Sequence, residues 1–244
     1  MANPVLSEKA FDYAIRNSSE ETMTINGAIN KAIILSLILT LSALISVYFV
    51  LAKNLELLYP AVMVSSIGAV ILAIIMAFKK ETAKTLSILY AILEGVAIGG
   101  ISFIFNAVYD GIVAQAVFFT SADLLIMLLL YRFRIIRVND KFRSVIFGAT
   151  LCIAVVYLIN FILGFFKMSV PFLNDSSPIG IGISVVIVAI ASFNLLLDFD
   201  FIERSANANM PKYFEWYSAF GLLVTLVWLY FEILKLLSKI RSRD

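Results

Sequence analysis

Seven long apolar runs, separated by short polar stretches, set the pattern of the chain. They cover residues 32–52, 61–78, 86–105, 112–131, 145–166, 179–197 and 216–237. Each run is close to the ~20 residues that a helix needs to cross about 30 Å of hydrocarbon. Because the runs are continuous rather than alternating, they predict helices and not a barrel. We therefore predict an all-α integral membrane protein, with a tail at residues 1–31 and one seven-helix bundle at residues 32–244.

Composition supports this class of protein and excludes several others. With 61% hydrophobic and 15% charged residues, the 244-residue chain has too little polar surface for a soluble globule. A single cysteine, Cys152, and the absence of histidine exclude an intrachain disulfide framework and the common zinc sites. The basic residues flank apolar runs and suit lipid headgroups. We expect the lipid bilayer as the surroundings, no nucleic-acid partner, and no cofactor or tightly bound metal.

Lysine and arginine are divided unequally between the two sets of loops. The tail and the second, fourth and sixth loops carry 13 of the 19 basic residues, from Lys9 to Lys212. The opposite loops carry only Lys53 and Lys167, and four more basic residues lie at the C-terminus. The positive-inside rule therefore predicts a cytoplasmic N-terminus. The four basic residues at the C-terminus do not fit this rule if all seven segments cross the membrane. A shallow or re-entrant last segment is therefore an alternative to a seventh crossing.

Carboxylates within or beside the apolar runs are the candidate functional residues, because a charge buried there must be paired, protonated or hydrated. They are Glu94, Asp123, Asp198, Asp200 and Glu232. Glu94 is predicted near the bilayer midplane, either on an ion path or as a protonated acid bonded to a helix carbonyl. Asp123 belongs either to such a path or to a local polar cluster with Thr120 and Ser121.

The last two helices carry the acids of greatest interest. Asp198 and Asp200 point about 200° apart on a helix and cannot share one site. Glu232 either pairs with Lys235 three residues later or faces the protein interior. If Asp198 and Glu232 approach, they would share one proton, and a cation such as calcium could replace it. Such a pair would act as a pH-sensitive latch.

Two further patterns concern packing and connection. Gly95 and Gly99 form a small-xxx-small face that allows close helix approach. Residues 207–211 have the composition of a turn. The aromatic residues at 213–217 suit the headgroup level of a membrane.

At these motifs the sequence resembles the Bax inhibitor family, the transmembrane Bax inhibitor motif group, and within it the bacterial YccA-like branch. The resemblance extends over about residues 3–237 and is strongest at 93–102, 194–203 and 211–234. It implies a seven-helix protein of a plasma membrane, the inner membrane of a bacterium, that acts as a pH-dependent calcium leak channel. The leak would be controlled by a carboxylate pair on the last two helices.

The resemblance assigns that pair to Asp198 and, with a longer side chain, to Glu232. An arginine that holds the family's closed state has no clear counterpart, and Lys79 is the nearest basic residue. The spacing between the two acids is also longer than the family pattern. For the acids to meet, helix six should continue to about Ile202, residues 211–220 should lie along the interface, and helix seven should begin near Gly221.

Two functions from different classes follow. The first is a cation leak, with calcium bound only transiently and gated by Asp198 and Glu232. The second is a membrane interaction protein that modulates a membrane-bound protease, with residues 2–30 as the recognised segment. We do not expect an enzyme, because the Gly-x-Gly-Asp motif of intramembrane aspartyl proteases is missing.

Overall fold

A computed structural model describes residues 21–51 and 55–243, which form seven α-helices. The helices are α1 (Ile25–Leu51), α2 (Leu55–Phe78), α3 (Ala83–Val108), α4 (Ile112–Arg132), α5 (Asp140–Phe165), α6 (Pro178–Asn207) and α7 (Phe214–Arg241). All seven are long and apolar enough to cross a membrane. The predicted helical membrane class is confirmed. Residues 1–20 of the predicted tail and Lys53 lie outside the described residues.

The helix ends differ from the predicted spans in three places. Helix α1 begins at Ile25, seven residues before the apolar run, and α6 continues beyond Ile202 to Asn207. The interfacial segment predicted at residues 211–220 is wrong, because α7 begins at Phe214 and includes most of it. The physical reason is burial: Phe214, Ala219 and Phe220 point to different sides of the helix and are all buried, so protein surrounds the first turns of α7.

The connection between α6 and α7 is a tight turn, as residues 207–211 predicted. Asn209 adopts φ 51°, a left-handed conformation that asparagine tolerates better than most residues. The Met210 amide donates to the Ser205 carbonyl at 3.1 Å, and the Phe214 amide donates to the Pro211 carbonyl at 3.0 Å. These bonds satisfy backbone groups that the helix ends leave free.

The chain divides into two compact units, and the first comprises Met1–Ala97 with Phe201–Gly221. In this unit, α1 and α3 approach closely at Gly95, where a Cβ atom would lie 2.5 Å from the Leu39 carbonyl oxygen. Hydroxyl groups hold the contact on either side: Ser42 donates to the Ile92 carbonyl at 2.7 Å, and Ser46 donates to the Val96 carbonyl at 3.2 Å. The close helix packing predicted at Gly95 is confirmed.

The same unit anchors the residues that precede α1. The Met23 amide donates to the Met210 carbonyl at 2.8 Å. The fully buried carboxylate of Glu215, in the first turn of α7, accepts the Thr24 amide at 3.0 Å and lies 2.8 Å from the Lys31 ammonium. Lys212 approaches the same carboxylate at 3.3 Å. One buried acid therefore joins the start of α1 to the start of α7.

The second unit comprises Ile98–Asp200 with Leu222–Asp244. Its loop before α6 is held by Lys239 of α7, whose buried ammonium donates to the Leu173 and Gly180 carbonyls and to the Ser184 hydroxyl at 2.7, 3.1 and 2.8 Å. Most side chains on the outer helix faces are large and apolar, as expected for surfaces that contact lipid.

Candidate functional site

Helix α6 carries polar side chains in the second unit, four of which we call the α6 polar residues: Ser192, Asn194, Asp198 and Asp200. The Ser192 hydroxyl donates to the Val188 carbonyl of its own helix at 2.9 Å and lies against the Asp123 carboxyl of α4. Asn194 donates to the Thr150 hydroxyl on α5 at 2.8 Å. These residues therefore connect α6 to its neighbours by hydrogen bonds at several depths. Water is scarce there, so an unpaired polar group would be costly and each hydrogen bond is favourable.

Asp198 has an incompletely satisfied carboxylate. The Thr225 hydroxyl on α7 is hydrogen-bonded to it. The other oxygen, Oδ2, is fully enclosed and has no hydrogen-bond partner among the described residues. An enclosed carboxylate oxygen of this kind is stabilised by a proton on the acid or by a cation beside it.

Asp200 faces a different neighbour, as the predicted angle between the two aspartates requires. Its Oδ2 accepts from the Arg143 guanidinium on α5 at 3.0 Å. Arg143 also contacts the exposed Asp140 at 3.0 Å, so it joins one partly buried acid and one exposed acid. The sequence identified Arg143 only as one of many basic loop residues, because no spacing rule relates it to Asp200, 57 positions later.

Glu232 is buried and has several donors. Its carboxylate accepts the Tyr157 hydroxyl at 2.9 Å to each oxygen and the Trp228 indole N–H at 3.2 Å. Lys235 completes the cluster at 3.2 Å, and its ammonium lies 4.6 Å from the centre of the Tyr157 ring. The two alternatives for Glu232 are thus both realised: it faces the interior and pairs with Lys235.

The structure does not bring Asp198 and Glu232 together. No hydrogen bond joins the two acids among the described residues, and each has its own partners. Thr225, the partner of Asp198, precedes Glu232 by seven residues, which is about 10 Å along α7. The shared proton expected from the sequence is therefore not a feature of this conformation, because the two side chains lie at different depths.

The remaining predicted residues have separate positions. Glu94 is half-buried on α3, in the first unit. Asp123 lies against the Ser192 hydroxyl on another helix, and its buried Oδ2 has no hydrogen-bond partner among the described residues. The Thr120 hydroxyl donates to the Ala116 carbonyl of its own helix. Lys79 is exposed after the end of α2, where its carbonyl accepts the Thr82 hydroxyl at 2.7 Å.

Four functional candidates were missed by sequence reasoning: Arg143, Tyr157, Thr225 and Glu215. A single tyrosine or threonine in an apolar run carries no signal of which helix it contacts. Glu215 could have been found, because an acid three residues after Lys212 at a predicted helix start is a recognisable pattern.

The described residues contain no group of three or more Cys, Asp or Glu side chains that could hold a metal ion. Seven apolar helices and intramembrane polar contacts define a multi-pass α-helical membrane protein. The chain belongs to the Bax inhibitor 1 like family, whose family model matches residues 3–242. Comparison with curated proteins and comparison with solved structures each return no match.

Proposed function

We propose that this protein is a pH-sensitive cation leak that conducts calcium, and that protonation of Asp198 controls it. One observation carries the proposal: Asp198 Oδ2 is enclosed without a hydrogen-bond partner among the described residues, inside a membrane-spanning helix. A neutral acid and a carboxylate with a cation are the two stable forms of such a group. Exchange between a proton and a cation at Asp198 would make passage depend on pH.

The surroundings of Asp198 support this role. The α6 polar residues supply hydroxyl, amide and carboxyl groups on several sides of this helix, and intramembrane polar residues mark ion pathways in many membrane proteins. Oxygen ligands of these types are the ones that calcium prefers. Because few carboxylates are grouped, we propose transient rather than tight calcium binding, as a leak requires.

Glu232 takes a separate part in this proposal. It lies about 10 Å beyond Thr225 along α7 and is already neutralised by Lys235. We propose that it acts as a second charge on the path rather than as the partner of Asp198 in one latch.

Calcium flux into dye-loaded proteoliposomes, measured over about pH 5 to 8, tests the proposal. Asn resembles the protonated form of aspartate in shape and charge. The variant Asp198→Asn is therefore expected to show at every pH the flux that the wild type shows at the acidic end. Glu232→Gln is expected to change the size or midpoint of the pH response without abolishing it.

The matched control is Asp140→Asn, which removes an exposed acid from the start of α5. Its pH profile is expected to follow the wild type. Unchanged pH profiles in both Asp198→Asn and Glu232→Gln would refute the proposal, as would the absence of flux at every pH. Potassium in place of calcium, in the same liposomes, measures the selectivity.

We also propose the orientation that the basic residues predict, with the N-terminus in the cytoplasm of a plasma-membrane protein. Because the described residues form seven spanning helices, the C-terminus would then lie on the opposite side. Two reporters test this orientation, one active only inside the cell and one active only outside it, and each is fused in turn to the N-terminus and to the C-terminus. Equal reporter activity at both termini would contradict it.

A second candidate function is a membrane interaction protein that modulates a membrane-bound protease through residues 2–30. The anchoring of Met23 and Thr24 to Met210 and Glu215 favours it, because it ties the described part of this segment to the start of α7. Deletion of residues 2–20 leaves this anchor intact. If the deletion abolishes copurification of a protease and leaves calcium flux unchanged, the second function is supported. If the deletion changes neither protease copurification nor calcium flux, the second function is refuted.

A further inference from the structure

A cavity of about 350 Å³ lies beside Glu232 in the second unit. Its apolar wall consists of Ile101, Phe105, Phe231 and Leu234. Its polar side consists of Tyr157, Trp228, Glu232 and Lys235. A concave apolar wall with a few convergent polar groups is the usual form of a ligand site, and this volume is within the range of such sites.

The cavity is built from the C-terminal parts of α3, α5 and α7. Phe105 lies three residues before the end of α3, Tyr157 eight before the end of α5, and Lys235 six before the end of α7. Odd-numbered helices of a seven-span protein all end on the same side of the membrane. The distances correspond to about 4 to 12 Å along the helices, which places the cavity at the level where acyl chains meet headgroups.

The polar side of the cavity is a pair of opposite charges with different freedom. Glu232 is 2% exposed and is held by Tyr157 and Trp228, whereas Lys235 is 44% exposed. Among the described residues, Glu232 Oε2 accepts only the Tyr157 hydroxyl, so it has capacity for a further donor. The Lys235 ammonium already lies against Glu232 and the Tyr157 ring, which shows that this position accepts a primary ammonium.

We propose that this cavity binds the headgroup of a phospholipid that carries a primary ammonium, as ethanolamine phospholipids do. The lipid ammonium would take the place of Lys235 beside Glu232 and Tyr157. Lys235 would turn to the lipid phosphate, and the acyl chains would lie against Phe105, Phe231 and their apolar neighbours. Both protein charges keep an opposite charge in this exchange, which a purely cationic or purely anionic ligand would not provide. The inference does not rest on the proposed leak.

Trp228 is a built-in reporter of occupancy, since it lies in the cavity wall and the chain has only two tryptophans. In a Trp216→Phe background, Trp228 emission is measured while detergent-solubilised protein is titrated with short-chain phospholipids. Ethanolamine lipid is expected to give a saturable change. Choline lipid, whose trimethylated ammonium cannot donate a hydrogen bond, and glycerol lipid, which has no ammonium, are expected to bind at least about 10-fold more weakly.

The variants separate the roles of the two charges. Glu232→Gln is expected to weaken ethanolamine-lipid binding by about 10-fold or more, and Lys235→Gln to remove most of the preference for a phosphate-bearing ligand over a plain alkylammonium. Lys235→Arg retains the positive charge and should retain binding. Asp123→Asn, which removes an intramembrane acid outside the cavity, should bind as the wild type does.

Three results would overturn the inference. The first is equal binding of the three lipids, and the second is unchanged binding by Glu232→Gln. The third is an alkylammonium that binds wild type as tightly as the ethanolamine lipid, because it would leave Lys235 and the phosphate without a role. If Glu232→Gln does not elute as a folded protein, the test is the binding of the three lipids to the wild type and to Lys235→Gln. The readout is binding and not flux, so it is independent of the leak experiment.

Discussion

Glu215→Gln is expected to lower the thermal stability of the protein, because it removes a buried negative charge that lies between two lysines. The Glu215 side chain is fully buried, while Lys31 and Lys212 are 23% and 45% exposed. One carboxylate oxygen faces the Thr24 amide and hydroxyl and Lys212, and the other faces Lys31 at 2.8 Å. Glutamine keeps an acceptor for Thr24 only if its NH₂ group points at the Lys31 ammonium, where two donors then meet.

The expected cost follows from these contacts. A hydrogen bond to a charged group contributes about 1.5–3 kcal/mol and a neutral one about 1 kcal/mol, so each lysine loses about 1 kcal/mol or more. The partial exposure of Lys212 reduces its share. With the donor–donor contact at Lys31 added, we expect about 3 kcal/mol in total, since removing one partner of a buried ion pair costs about 3–5 kcal/mol. For a chain of this length that corresponds to a decrease in Tm of roughly 6–12 °C.

Thermal unfolding in detergent, followed by circular dichroism, measures this change. Asp140→Asn is the matched control, because it breaks an ion pair of the same kind at 3.0 Å whose acid is 99% exposed, and its Tm should stay near that of the wild type. The double variant Lys31→Met/Glu215→Gln should lose less than the sum of the single losses. Equal Tm values for Glu215→Gln and Asp140→Asn, or strict additivity with Lys31→Met, would refute the reasoning.

Two other predictions concern packing and the loop before α6. Gly95→Ala should lower the free energy of unfolding by about 1–3 kcal/mol, because its Cβ would lie 2.5 Å from the Leu39 carbonyl and 2.7 Å from Ser42 Cβ. Gly148→Ala, with no atom within 4 Å of its Cβ, should instead stabilise α5 by up to about 1 kcal/mol, and denaturation midpoints compare the two. Lys239→Met should speed amide hydrogen exchange in residues 170–181, because it leaves the Leu173 and Gly180 carbonyls without their donor, whereas the exposed Lys141→Met should not. Equal exchange in both lysine variants would contradict the role of Lys239.

The class of protein and the number of helices could be predicted from the sequence. Hydrocarbon thickness sets the length of a spanning helix, and backbone groups in lipid must be paired within the segment, so apolar run length alone predicts seven helices. Local patterns also predicted two features correctly. Two small residues four positions apart allow helix contact at Gly95, and the residues around Asn209 form a turn because turn formation depends on neighbouring residues only. The i,i+3 pair of Glu232 and Lys235 follows from helix geometry in the same way.

Contacts between helices were decided only by the tertiary structure. Which helix faces Asp198, Asp200 or Glu232 depends on how α5, α6 and α7 rotate about their axes, and uniformly apolar helices carry little periodic signal to set that rotation. The depth difference between Asp198 and Glu232 arises in the same way, because α7 is continuous from Phe214 and so fixes Thr225, not Glu232, beside Asp198. Arg143, Tyr157 and Thr225 became candidates only when the fold brought residues that are distant in the chain within hydrogen-bonding distance.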